Sequence, residues 1–222
     1  MRAGISWVFF DLGETLIDEG VARAERLAQL HSALAQHGLR YTREQTEAAL
    51  LRSWKEFAPW PFWRAVEMLA GAGNVSEWIR EHVRWRKELE RPYPQALHVL
   101  QQLALKYSLG VIANQGAGAE ARLEAWGFAP FISICLSSAE EGLEKPDPAI
   151  FRLALAQAGC SPEQAVMVGD RIDNDIRPAK ALGWQTIRVL QGFAKVQEPR
   201  VPDEVADVTV AALADVVQAL SG

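Results

Sequence analysis

Ser6-Trp7-Val8-Phe9-Phe10-Asp11-Leu12-Gly13-Glu14-Thr15-Leu16-Ile17 is the stretch on which the fold turns. Its apolar run, Trp7 to Phe10, shows no alternation with polar residues, which suits a strand buried on both faces of a parallel sheet. The run stops at a carboxylate, Asp11, followed by a glycine turn and a threonine. A carboxylate just past the carboxyl end of such a strand sits where open α/β sheets bind ligands. Taken alone, the same Asp could do no more than cap the turn that follows it.

A second stretch repeats the pattern: Val166-Met167-Val168-Gly169-Asp170-Arg171-Ile172-Asp173-Asn174-Asp175. Two strand-end carboxylates, Asp11 and Asp170, are costly to bring together unless a cation neutralises them. An oxygen-rich set of this kind suits Mg²⁺. Asp173 and Asp175 also favour the start of the next helix, and for Asp173 that ordinary role is sufficient. Between the two stretches, Glu144-Lys145-Pro146-Asp147-Pro148 is a stiff turn that fixes Lys145 just ahead of a helix. A lysine held there could neutralise a phosphate or an aspartate, although an isolated lysine is more often solvated surface.

Outward from these stretches the chain changes period twice. After Thr15 the spacing is helical for about 75 residues, an all-helical insertion over 18–91. Val21 to His37 reads as one helix ended by Gly38, and Thr42 with Gln45 makes a capping box for a second helix running to about Phe57. Phe62 to Leu69 reads as a third, and Ser76 as the cap of a fourth through Glu90. Trp54, Trp60, Trp63, Trp78 and Trp85 lie here and are expected mainly in the core of the insertion, with one or two able to line a pocket. From Pro92 onward β and α segments alternate. Strands are expected at 109–113, 131–136, 166–168, 184–190 and 206–210, and helices at 95–107, 119–126, 148–158, 176–182 and 211–220. That alternation predicts an α/β fold with a doubly wound parallel sheet and right-handed crossovers, built from 1–17 and 92–222.

Composition limits the function classes. With 222 residues, 49% of them hydrophobic, and a formal charge of −5, the chain can bury a full core but carries no basic stripe for nucleic acid and no polybasic membrane signal. No apolar run approaches the roughly 20 residues of a membrane span, and Asp11 interrupts the early apolar segment, so a cytoplasmic protein is expected. Cys135 and Cys160 have no metal or redox spacing and read as free thiols, with Cys135 packed in the core.

Taken together, the residues resemble the haloacid dehalogenase superfamily, which is dominated by aspartate-nucleophile phosphatases. Its first motif matches at Phe9-Phe10-Asp11 and Thr15, its third at Lys145-Pro146-Asp147-Pro148 with Ile150-Phe151, and its fourth at Gly169-Asp170 with Asp175. The resemblance implies a Rossmann-like core with the helical insertion as a cap domain. It further implies Asp11 as nucleophile and Lys145 as the residue steadying the nucleophile and the transferred phosphoryl group. Mg²⁺ would be held by Asp11, the Gly13 carbonyl, Asp170 and Asp175. The implied substrate is a small phosphorylated metabolite, handled by a monomer or homodimer.

Two positions depart from that pattern. Gly13 stands where the family has an acid/base aspartate, which removes a proton donor to the leaving oxygen, a group typically contributing about 10²- to 10⁴-fold. Glycine at that position could also be required by a positive φ. Ala113 stands where the family has threonine or serine, which removes a hydroxyl donor to the phosphoryl oxygens, and Asn114 with nearby backbone N–H groups is expected to replace it in part. Glu14 is a weaker candidate for a substitute acid. Two other readings stay open: a metal-independent haloacid dehalogenase, against which Asp170 and Asp175 argue, and a weakened or inactive binding protein of the same fold, which Gly13 and Ala113 favour.

Overall fold

The computed structural model describes residues 4–221. Its sheet has six strands: β1 (Trp7–Phe10), β2 (Ser108–Ala113), β3 (Ile132–Ser137), β4 (Ala165–Gly169), β5 (Gln185–Val189) and β6 (Val208–Val210). Their order across the sheet is β3-β2-β1-β4-β5-β6, and every pair is parallel. The order reverses between β1 and β4, and in open α/β sheets ligands bind outside the strand ends at such a reversal.

The lack of alternation in β1 has a simple cause. Val8 and Phe10 point to one face, into a cluster with Leu100, Val111, Val168 and Val216. Phe9 points to the other, against Ile112, Phe151, Met167 and Trp184. Both phenylalanines are wholly buried, worth roughly 1.5–3 kcal/mol each relative to exposure.

The chain divides into two compact units. One comprises the segment through Asp18, Pro92–Lys195 and the segment from Pro199 onward; the other comprises Glu19–Arg91 with Val196–Glu198. The second unit holds four helices, α1 (Gly20–Gln36), α2 (Arg43–Lys55), α3 (Pro61–Ala70) and α4 (Asn74–His82). The Thr42–Gln45 capping box is formed in both directions, at 3.2 and 2.8 Å. The fourth helix differs from its sequence reading. Ser76 is its third residue rather than its cap, and the Ser76 hydroxyl accepts from the Gly73 N–H at 3.2 Å. It ends at His82, because Val83 adopts an extended conformation. The five tryptophans are not core residues either: Trp60 is 57% exposed and the others are half-buried. Smaller side chains, including Leu30, Leu34, Leu50, Val66 and Ile79, fill this core.

Helices of the α/β unit are α5 (Ala96–Ala104), α6 (Ala119–Ala125), α7 (Ser138–Glu141), α8 (Pro148–Ala158), α9 (Arg177–Ala181) and α10 (Asp215–Ser221). The α8 bounds match the sequence reading. Pro148 occupies the first turn, where its missing N–H costs nothing, and Asp147 caps the helix by accepting from the Ala149 N–H at 2.8 Å. Cys135 and Cys160 are free and partly buried; burial first, then nearby glutamates, push the Cys135 thiol up to about 12. Among the described residues, no helix is long and apolar enough to cross a membrane.

Candidate active site

Asp11 is placed by sheet register. Its N–H donates to the Val168 carbonyl at 2.9 Å, so pairing with β4 continues one residue past Phe10. The chain then winds around the Leu12 carbonyl, which accepts from Thr15, Leu16 and Ile17 at 3.2, 2.9 and 2.9 Å. The left-handed residue of this turn is Glu14, at φ 55°, and Gly13 is not among the positive-φ glycines. A positive φ is therefore not what requires glycine at position 13.

Asp170 follows β4, and a single π-helical turn, Ile172–Ile176, carries Asp175 back toward it. The Arg171 carbonyl accepts from both Asp175 N–H at 3.0 Å and Ile176 N–H at 3.2 Å. In return the Arg171 N–H donates to Asp175 Oδ2 at 3.0 Å, which fixes that carboxylate. Asp173 faces elsewhere, paired with the Arg171 guanidinium.

Lys145 joins the two carboxylates. Its Nζ donates to Asp11 Oδ1 and to Asp175 Oδ1, each at 2.6 Å. Asn114, just past β2, holds the Lys145 backbone from both sides: its Nδ2 donates to the Lys145 carbonyl and its Oδ1 accepts from the Lys145 N–H, both at 2.7 Å. The peptide bond from Lys145 to Pro146 is cis. Asn114 thus positions the lysine in this structure, with one Nδ2 hydrogen left over for another acceptor.

The electrostatics follow from burial. Lys145, Asp170 and Asp175 are 3%, 2% and 1% exposed. Burial, then repulsion from Asp11, Asp175 and Glu14, drives the Asp170 carboxyl well above the usual carboxylate range. Burial also raises Asp175 to about 6, with Lys145 opposing. For Lys145, burial disfavours the charge but Asp11 and Asp175 outweigh it, and its pKa is raised. One carboxylate oxygen from each of Asp11, Asp170 and Asp175 lies within 4.8 Å of the others. The three acids are opposed directly by Lys145 and through space by Arg171 and Arg188, and together they line the site with hard oxygen donors, a set that fits a divalent cation such as Mg²⁺.

Contacts that the sequence did not reveal complete the surroundings. Arg188, buried on β5, donates from Nε to the Asp170 carbonyl at 3.2 Å and from Nη2 to the Ala194 carbonyl at 2.8 Å. Glu14 is 5% exposed and accepts from the Tyr93 hydroxyl at 2.7 Å. Gly192 is what gives Glu14 room, since a Cβ there would lie 2.5 Å from Glu14 Cγ. These partners are far apart in sequence, 79 positions for Tyr93 and Glu14, so no local pattern marks them. Thr15 is fully buried and, among the described residues, its hydroxyl has no partner.

Known proteins resemble this chain in sequence and in fold. The family model described as haloacid dehalogenase-like hydrolase matches residues 5–183. The chain is 39% identical over 131 residues to a glyceraldehyde 3-phosphate phosphatase from Methanocaldococcus jannaschii, a match spanning 58% of this chain and just over half, 56%, of that protein. It is 31% identical to the protein of the same name from Methanothermobacter thermautotrophicus, over 91% of this chain and 93% of the relative. A solved structure titled as a predicted phosphoglycolate phosphatase from Haemophilus somnus shares the fold, with a TM-score of 0.74 at 22% identity over 99% of this chain and 100% of its own. By motif, fold and family match, the chain belongs to the haloacid dehalogenase-like hydrolase family.

Proposed function

We propose that this protein is a magnesium-dependent phosphatase that cleaves a small phosphorylated metabolite through a phosphoryl-Asp11 intermediate. The observation that carries the reading is the Asp11 carboxylate at the end of β1, 2.6 Å from Lys145 Nζ and grouped with Asp170 and Asp175. A carboxylate so placed is an available nucleophile. One Asp11 oxygen attacks phosphorus, the P–O bond to the leaving group breaks, and the leaving oxygen takes its proton from solvent, because Gly13 offers none. Water then attacks phosphorus of the acyl phosphate, releasing phosphate and regenerating Asp11.

Lys145 orients the Asp11 carboxylate through its 2.6 Å contact and faces the charge that develops on the phosphoryl oxygens. Asp175 and Asn114 position Lys145. In this reading Mg²⁺ is held by Asp11, Asp170, Asp175 and the Gly13 carbonyl, and when bound it supplies neutralisation of the phosphoryl charge. The leftover Asn114 Nδ2 hydrogen is the donor expected to meet a phosphoryl oxygen. The helical unit serves as the substrate-selecting cap.

Triose phosphates are the first compounds to try, given the names of the archaeal relatives. The test is phosphate release from a panel of phosphate monoesters, with Mg²⁺ and with chelator, for the native chain and Asp11→Asn. Release that requires Mg²⁺ and is abolished in folded Asp11→Asn is expected. Metal-independent release, or full activity in Asp11→Asn, would contradict the proposal.

A further inference from the structure

The helical unit holds a cation, Arg26, with no carboxylate partner among the described residues. Arg26 lies on α1, and its guanidinium carbon sits 3.7 Å from the centre of the Phe62 ring, 4.8 Å from that of Trp63 and 5.8 Å from that of Trp85. Aromatic rings meet the face of a guanidinium and leave the in-plane N–H donors of its edge to other partners. Among the described residues, that edge has no hydrogen-bonding partner. Arg26 Nε is buried without a hydrogen-bond partner, and among the described residues no carboxylate is within ion-pair distance of the group. Glu19 acts on it only through its field, and burial outweighs that field, lowering the Arg26 pKa to about 10.

The contrast with neighbouring arginines is informative. Arg52, Arg80 and Arg86 in the same unit pair with Glu56, Glu67 and Glu88 at 2.6, 3.2 and 2.8 Å, all with side chains substantially exposed. Arg80 also meets the Trp63 ring, 4.8 Å from its centre, but keeps its Glu67 partner, whereas Arg26, set among three rings, has no carboxylate partner among the described residues. A desolvated, unpaired charge is strongly unfavourable unless something compensates it. As a residue Arg26 is only half-buried, so the compensating group can come from solution.

We propose that Arg26, backed by Phe62 and Trp63, is an oxyanion-binding site of the helical unit, taking a carboxylate or phosphate group of a small metabolite through bidentate N–H bonds from the guanidinium edge. The site is independent of the reaction assigned to Asp11. Trp63 and Trp85 beside the guanidinium supply its reporter.

The experiment is a tryptophan-fluorescence titration of the full chain, with sodium phosphate in one arm and sodium malonate in the other. Ionic strength is matched with chloride, and chelator is present so that the Asp11 cluster holds no divalent ion. A saturable change in either arm is expected, with a dissociation constant on the order of 1 mM or below. It should be absent in Arg26→Met and weakened by roughly tenfold or more in Arg26→Lys, which keeps the charge but lacks the fork. Saturation by phosphate alone assigns a phosphate ligand, by malonate alone a carboxylate, and by both either group. No saturable change in either arm, or the same affinity in Arg26→Met as in the native chain, would overturn the proposal. Should Arg26→Met not fold, Arg26→Lys decides: unchanged affinity there overturns it.

Discussion

Replacing Lys145 by methionine is the perturbation whose size is best constrained by the structure. The lysine makes two contacts of 2.6 Å, to Asp11 and Asp175, and is 3% exposed. At an effective dielectric of about 20, each pair is worth about 6 kcal/mol before other terms. Much of that is offset in the native protein by desolvation of the ammonium itself. The loss is also limited because Asp175 can take up a proton: it sits near 6 even with Lys145 beside it, so once the lysine is gone protonating it at pH 7.5 costs at most about 2 kcal/mol. Breaking a buried pair by removing one partner falls at about 3–5 kcal/mol, and the lower half of that range is expected here. The assay is urea unfolding at pH 7.5 with chelator, repeated with saturating Mg²⁺ and at pH 5. Mg²⁺ should restore part of the lost stability, and the deficit should shrink at pH 5, below the Asp175 pKa of about 6, where that acid is neutralised by a proton. A loss below about 0.5 kcal/mol in chelator at pH 7.5 would refute the idea that Lys145 neutralises the acid cluster.

Further outcomes follow from the same geometry. Because the folded Asp175 pKa, about 6, lies above its unfolded value of about 3.9, its contribution favours folding most below about pH 4 and is lost as pH rises through 6. Mg²⁺ competes with that proton, so the rise in melting temperature produced by Mg²⁺ should be larger at pH 7.5 than at pH 5; an equal rise would contradict this. Gly13→Asp should fold, since position 13 does not use a positive φ, and should speed alkyl phosphates most in a leaving-group series, by up to about 10²-fold. A native enzyme whose chemical step ignores leaving-group basicity would mean that another acid already serves. Gly192→Ala should cost about 1–3 kcal/mol in thermal or urea unfolding, because its Cβ collides with Glu14. Gly159→Ala, at φ 61° in open space, should cost only about 1 kcal/mol, and equal losses would show that Glu14 is free to move.

Much of the fold was legible because burial on both sheet faces writes unbroken apolar runs, as at Val8-Phe9-Phe10 and Val166-Met167-Val168. The bounds of α8 were legible because Pro148 and Gly159 carry local backbone rules. Ser76 misled because a serine at the third helical position can reach back to the preceding N–H as readily as a capping one reaches forward. The tryptophans misled because a small helical unit is closed by aliphatic side chains, and the large indoles end up spread over it. At the candidate site, Asp11, Lys145, Asp170 and Asp175 stood out because strand ends and a stiff turn locate them. The Asn114 clamp on the Lys145 backbone, the Arg188 contact to the Asp170 carbonyl and the Gly192 recess for Glu14 were not legible, since each depends on segments brought together only by the sheet. Arg26 was invisible for the same reason: nothing local distinguishes an arginine facing rings from one facing an acid.

The most direct test of the central claim is a rapid acid quench during turnover of a phosphate monoester in Mg²⁺, followed by peptide mapping. A phosphoryl group on the peptide carrying Asp11 is expected, forming and decaying fast enough to account for turnover and absent in Asp11→Asn. Phosphate release at the native rate with no phosphoryl group ever present on that peptide would contradict Asp11 as the nucleophile.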